Sequence, residues 1–156
     1  MVGGMDPVPV LSEQVCFALY TAARAVTNQY RPLLDELGIT YPQYLVLLVL
    51  WERGETSVKD LGGALQLESS TLSPLLKRLE AAGLVERRRR VDDERSVLVG
   101  LTERGSEMRD RARVLPRELA CATGLRSEEL TSLRETLQRL TATLTGETSD
   151  ADLVHR

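Results

Sequence analysis

Within one stretch the hydrophobic period of this chain switches from helical to alternating, and that switch limits its possible folds more than any other feature. From Ser57 to Thr102 the sequence reads SVKDLGGALQLESSTLSPLLKRLEAAGLVERRRRVDDERSVLVGLT. Val58, Leu61 and Leu65 recur at helical spacing, and after Gln66 a second helical stripe follows at Leu72, Leu75, Leu76 and Leu79. Two short helices joined by a few residues have the outline of a helix-turn-helix. Past Gly83, placed to end the second helix, the pattern becomes alternating: Leu84 and Val85, then Val97, Leu98 and Val99, predict two strands around the polar hairpin RRRRVDDERS. A charged hairpin directly after a helix-turn-helix is a wing. The expected fold is therefore mainly α with a small β wing, a winged helix-turn-helix over about 41–101.

The second helix would turn Ser69, Ser70, Thr71, Ser73, Lys77 and Arg78 outward, with short hydrogen-bonding side chains first and cations later. A major groove accepts that order, because small donors and acceptors suit base edges and cations suit phosphates. Pro74 is expected near the first turn, where a missing N–H matters least. In the wing, Arg88 and Arg95 are candidate DNA contacts. Arg95 would enter the minor groove, where arginine is favoured, while Asp93 holds the turn. Four consecutive arginines alone read rather as a solvated turn, and Asp93 with Arg95 as a weak surface ion pair; their place after the helix pair favours DNA.

Composition bears on that choice. A chain of 156 residues is one domain's worth, and its net charge of −3 is not that of a generally basic DNA binder, so any nucleic-acid surface must be local. The amino terminus lacks the basic and apolar segments of a secretory signal, and the longest apolar run, Tyr44 to Trp51, is too short to span a bilayer. A soluble cytoplasmic protein is expected, with no membrane partner. Its two cysteines, Cys16 and Cys121, would then be reduced thiols rather than a permanent disulfide. No metal or cofactor is expected: there is no CxxC, and the single histidine, His155, sits in the tail.

Around the winged unit the chain predicts long helices. Residues 1–10 read as a loose arm. Ser12 is expected to cap a helix running to about Leu37, which places Cys16 near its fourth position. Val15, Leu19, Ala22, Val26, Tyr30 and Leu33 form one stripe of that helix, and Cys16, Tyr20, Ala23 and Thr27 lie beside it. That is more apolar surface than one core contact requires, and it suggests a partner subunit. After Gly38, Thr40-Tyr41-Pro42 starts a nearly all-apolar buried helix, with Tyr41 extended because a proline follows it. After the wing, a charged helix opened by Thr102 breaks near Pro116. From Ser127 a last helix carries Leu130, Leu133, Leu137, Leu140 and Leu144. The helices at about 11–37 and 103–145 read as a dimerisation module within a single domain, and 146–156 as a disordered tail.

The spacing of Asp93-Glu94-Arg95, five residues, then Leu101-Thr102 resembles the wing signature of MarR-type winged-helix repressors. More narrowly, LYTAARAVTNQYRPLLDELGITYPQYLVLLVLWE, with Cys16 just before it, is similar to the organic-hydroperoxide-sensing branch, OhrR. The resemblance runs from about Leu11 to Leu144. It implies a homodimeric repressor on palindromic double-stranded operator DNA, with an organic hydroperoxide as inducer and Cys16 as the sensing thiol. By the same resemblance Tyr30 and Tyr41 donate hydroxyls to the sulfur across the dimer, and Cys121 of the other subunit captures the oxidised Cys16, as in two-cysteine members.

Read from residues alone, Cys16 sits where a helix dipole favours a thiolate, with Tyr20 one turn on, yet a cysteine between Val15 and Phe17 also reads as a small apolar residue. The tyrosines likewise read as amphipathic members of a dimer core. Two other functions stay open: a repressor released by a non-covalent phenolic or apolar ligand, and a thiol peroxidase, for which no general base is evident. A non-enzymatic regulator is expected.

Overall fold

The computed structural model describes residues 8–146. The expected arm falls largely outside them, as do the tail from residue 147 and His155. The helices are α1 (Val15–Leu37), α2 (Tyr41–Arg53), α3 (Val58–Leu65), α4 (Ser69–Ala81), α5 (Glu103–Ala112), α6 (Leu115–Thr123) and α7 (Ser127–Thr145). The strands are β1 (Thr56–Ser57), β2 (Val85–Arg89) and β3 (Val97–Leu101). Among the described residues no single helix is long and apolar enough to cross a membrane. The chain forms two compact units, one ending at Leu115 and the other beginning at Pro116.

The first unit is built on α2. Thr40 and Gln43 cap it reciprocally: the Thr40 N–H donates to the Gln43 side chain at 2.9 Å, and the Gln43 N–H donates to the Thr40 hydroxyl at 3.5 Å. The extended residue is therefore Thr40, and Tyr41 already belongs to the helix; the cap overrides the restraint that Pro42 places on it. Val46, Leu47 and Leu50 of α2 are buried, as are Leu61, Leu72 and Leu79 of the α3 and α4 that pack on it. The four leucines expected on the inner face of α4 are all buried.

The turn between α3 and α4 rests on Gln66, whose φ of 53° is left-handed, with Leu67 N–H donating to the Gly62 carbonyl at 2.9 Å. Gly83 fills the same role after α4: at φ 71°, it lets Leu84 N–H reach the Leu79 carbonyl at 3.0 Å and its own N–H reach Glu80 at 2.9 Å. This is the Schellman ending, and the chain leaves it directly as β2.

The sheet has three antiparallel strands in the order β1-β3-β2. Arg88 stands opposite Leu98 and Arg89 opposite Val97, so most of the arginine run lies within a strand and the loop is only Arg90–Ser96. The short β1, opposite Val99 and Leu98, has too little periodicity to be read from sequence. Thr102 fastens α5 to this frame: its hydroxyl donates to the Gly83 carbonyl at 2.6 Å and accepts the Gly105 N–H at 3.1 Å. Gly105 is required there, because a Cβ would lie 2.0 Å from the Leu84 carbonyl oxygen.

Two expectations shift. A 3-10 turn at Leu11–Glu13 precedes α1, so Ser12 caps nothing there; extended Gln14 separates the two, its side chain donating to the Val10 carbonyl at 3.1 Å. Cys16 is consequently the second residue of α1. Pro74 is the sixth residue of α4, past the first turn, and removes the bond that its N–H would give to the Ser70 carbonyl.

In the second unit, Gly124 at φ 68° separates α6 from α7. Arg126 N–H donates to the Glu129 carboxylate at 2.9 Å, and Glu128 and Glu129 occupy the first turn of α7 as expected. No residue of α7 is buried; Leu133, Leu140 and Leu144 are exposed.

Candidate nucleic-acid interface and thiol site

On α4, Ser69, Ser70, Thr71, Ser73, Lys77 and Arg78 are all exposed, as helical spacing requires once Leu72, Leu75, Leu76 and Leu79 face the core. At the wing, the Asp93 carboxylate accepts the Arg95 backbone N–H at 3.1 Å, and the loop closes through Ser96 N–H to the Asp93 carbonyl at 3.0 Å. Asp93 thus shapes the tip through the main chain, while the exposed Arg95 guanidinium forms no ion pair among the described residues.

The arginine run divides into paired and unpaired side chains. Arg87 is held by Glu80 at 2.7 Å, Arg88 by Glu55 at 2.6 Å and Arg90 by Asp92 at 2.8 Å. Hydrogen bonds from these guanidiniums hold the carboxyls of Glu80, Glu55 and Asp92 below the usual carboxylate range. Arg88 therefore has Nε and Nη2 engaged by Glu55, and a phosphate meets a guanidinium whose charge is already partly neutralised. Arg89, passed over in the sequence reading, is exposed and has no ion pair among the described residues. Strand alternation places it on the same face of β2 as Arg87, the face that meets α4 through Glu80.

At the other end of the unit, Tyr30 and Tyr41 come together, their ring centroids 5.1 Å apart. Tyr44, read from sequence only as core, completes the cluster at 5.8 Å from Tyr30 and 6.3 Å from Tyr41. Tyr30 is 8% exposed. Burial first, then Tyr44 and Tyr41, push its phenol up to about 12, and burial raises Tyr41 and Tyr44 as well. All three are neutral hydroxyls at neutral pH, able to donate, and burial extends that range further into alkali. Tyr44 also packs edge-on against Trp51, whose indole N–H donates to the Gly105 carbonyl at 2.9 Å.

Cys16 is exposed at the start of α1, among exposed Val15, Phe17 and Tyr20. Tyr20 turns to Arg24, whose guanidinium lies 5.5 Å from its ring centroid. Tyr30 is fourteen residues further along the same helix, about 21 Å at 1.5 Å per residue, so one chain does not bring Cys16 to its own Tyr30. Cys121 is a free, exposed thiol of α6. A cleft of about 340 Å³ opens beside Tyr41, lined among others by Thr27, Arg31, Leu34 and Ile39.

Residues 28–112 match the family model described as transcriptional regulator SarA/Rot. The chain is 47% identical over 134 residues to the organic hydroperoxide resistance transcriptional regulator of Bacillus subtilis (strain 168), covering 86% of this chain and 91% of that protein. It is also similar to AbfR, a Staphylococcus epidermidis protein. The structure of reduced AbfR bound to DNA superposes with a TM-score of 0.71 at 35% identity, covering 86% of this chain and 93% of that one. Disulfide-formed AbfR superposes with a TM-score of 0.59 at 34% identity, covering 87% and 90%.

Proposed function

Because this chain belongs to the MarR family of winged-helix transcriptional regulators, in the branch of the organic hydroperoxide resistance regulators, we propose that it is a homodimeric repressor of palindromic operators that is released when an organic hydroperoxide oxidises Cys16. One observation carries the reading. An exposed thiol stands at the start of α1, whereas Tyr30 lies about 21 Å further along that helix with Tyr41 of α2 packed against it, so in this reading a second copy supplies Tyr30 and Tyr41 to complete the site. The unpartnered apolar residues at the start of α1 and along α7 supply surface for that second copy. In the dimer, Ser69, Ser70, Thr71, Ser73, Lys77 and Arg78 of each α4 face the major groove, and each Arg95 the minor groove.

The chemistry balances in two steps. The Cys16 thiolate attacks the terminal oxygen of the hydroperoxide; the O–O bond breaks, the departing alkoxide takes a proton from solvent and leaves as the alcohol, and the sulfur becomes a sulfenic acid. The Cys121 thiol of the second copy then attacks that sulfur, forming the disulfide and releasing water. Tyr30 and Tyr41 donate hydrogen bonds to the thiolate before attack. A second reading is favoured by the cleft beside Tyr41, whose size suits a small phenolic or apolar ligand acting without covalent chemistry.

A gel shift with reduced protein on the DNA upstream of its own gene, repeated after an organic hydroperoxide and again after a thiol reductant, separates the readings. Release by hydroperoxide with recovery by reductant is expected. Cys16→Ser should bind yet ignore the oxidant, and Cys121→Ser should lose the reductant-sensitive covalent dimer and over-oxidise at Cys16. Release of Cys16→Ser by hydroperoxide would refute the sensor.

A further inference from the structure

Deepening the reading of α4 and the wing as the DNA-contacting surface, on which it rests, we infer that Glu55 and Glu80 are positioning residues for operator specificity: they withhold Arg88 and Arg87 from phosphates and set the wing against α4, leaving Arg89 and Arg95 as the wing's contacts.

Glu80 lies in the last turn of α4 and holds both the side chain and the main chain of β2. Its Oε2 accepts Arg87 Nε at 3.0 Å and Nη2 at 2.7 Å, and its Oε1 accepts the Arg87 backbone N–H at 3.3 Å. The end of α4 and the start of the wing are thereby fixed to each other. Glu55 grips the next residue: Arg88 Nε reaches Oε2 at 2.7 Å and Nη2 reaches Oε1 at 2.6 Å. Successive strand residues point to opposite faces, so the two carboxylates hold β2 from both sides.

Solvent-exposed ion pairs typically add only about 0–1 kcal/mol to stability, with bidentate arginine–carboxylate pairs at the upper end. Their larger effect is on which cations remain available. Each arginine that neutralises a phosphate steepens the fall of log affinity with log salt by about 0.9, whatever the sequence of the duplex. Specificity is the ratio of operator to non-specific affinity. Pairing Arg87 and Arg88 internally therefore lowers binding to any duplex while leaving the outward face of α4 free to discriminate.

The test measures affinity over a salt series for two duplexes, one carrying the palindrome that the wild type selects from a random library and one of the same composition scrambled. Glu55→Gln and Glu80→Gln are expected to bind the scrambled duplex several-fold more tightly, steepen its salt slope by up to about 0.9 per released arginine, and lower the specificity ratio. Glu86→Gln removes the same charge from β2, where Glu86 accepts no hydrogen bond from an arginine among the described residues and adds only a weaker field at Arg88, and should raise both affinities together without changing the ratio. Arg87→Ala and Arg88→Ala should leave the slope where it was. The inference is overturned if Glu55→Gln and Glu80→Gln keep the wild-type ratio, or if Arg87→Ala and Arg88→Ala flatten the slope by the amount of a lost phosphate contact. Failure of the underlying reading looks different: Arg89→Ala and Arg95→Ala would then both bind like the wild type.

Discussion

Tyr30 offers an alkaline test of the aromatic cluster. Its phenol is pushed from 10.0 up to about 12, by burial and then by the negative charge that Tyr44 and Tyr41 would carry. The fold therefore favours the neutral hydroxyl, and the unfolded chain gives up its proton first. Between the two values the unfolded state binds fewer protons than the native one, so stability must fall as pH rises. The contribution is fully present below pH 10 and is lost as pH climbs through about 12. At 1.36 kcal/mol per unit the loss comes to about 3 kcal/mol, a large fraction of the roughly 5–15 kcal/mol that keeps a domain folded. Urea unfolding followed at a series of alkaline pH values reads it directly. Tyr30→Phe removes the titrating group, so its stability should decline less steeply over the same range; a residual decline is expected from Tyr41 and Tyr44, which burial also raises. Equal alkaline slopes for Tyr30→Phe and the wild type would refute the burial argument.

Arg95→Ala should weaken operator binding by more than ten-fold while leaving the oligomeric state unchanged, since a minor-groove arginine is worth about 1–3 kcal/mol on the scale of a good base contact; unchanged affinity in a filter-binding titration sinks the wing assignment. Gln66→Gly should raise the urea midpoint, stabilising the fold by roughly 0.5–1 kcal/mol, because φ 53° strains a residue with a Cβ and does not strain glycine; a lowered midpoint would mean that Gln66 contributes more through its side chain than it costs in backbone strain.

Local signals in the sequence were enough for the winged unit. The leucine stripe of α4, the left-handed glycine at Gly83 and the change to alternation at Leu84 each act within a few residues, so spacing alone locates them. Boundaries went astray where a local rule met a competing bond. A Thr40–Gln43 cap drew Tyr41 into α2 although Pro42 follows it, and a turn closed by Gln14 moved the start of α1 past Ser12. Two residues of β1 carry no periodicity, and only their pairing with β3 makes them a strand.

The candidate site divides along the same line. Exposure of the α4 hydroxyls follows from helical spacing, because the core leucines dictate which face is left. Which arginine of the run is available does not follow, because it depends on Glu55, thirty-three residues before Arg88, and on Glu80, set beside Arg87 by the Gly83 turn. Alternation alone separates Arg87 and Arg89 from Arg88, but not which face meets a carboxylate. Tyr44 was hidden for a related reason: within an apolar helix it reads as filler, and only the folding of α2 against α1 sets its ring between Tyr30 and Trp51. Both omissions concern partners brought together by tertiary packing, and both alter chemistry rather than fold. A charge run states how many cations exist, whereas the distances to Glu80, Glu55 and Asp92 state how many remain for a phosphate.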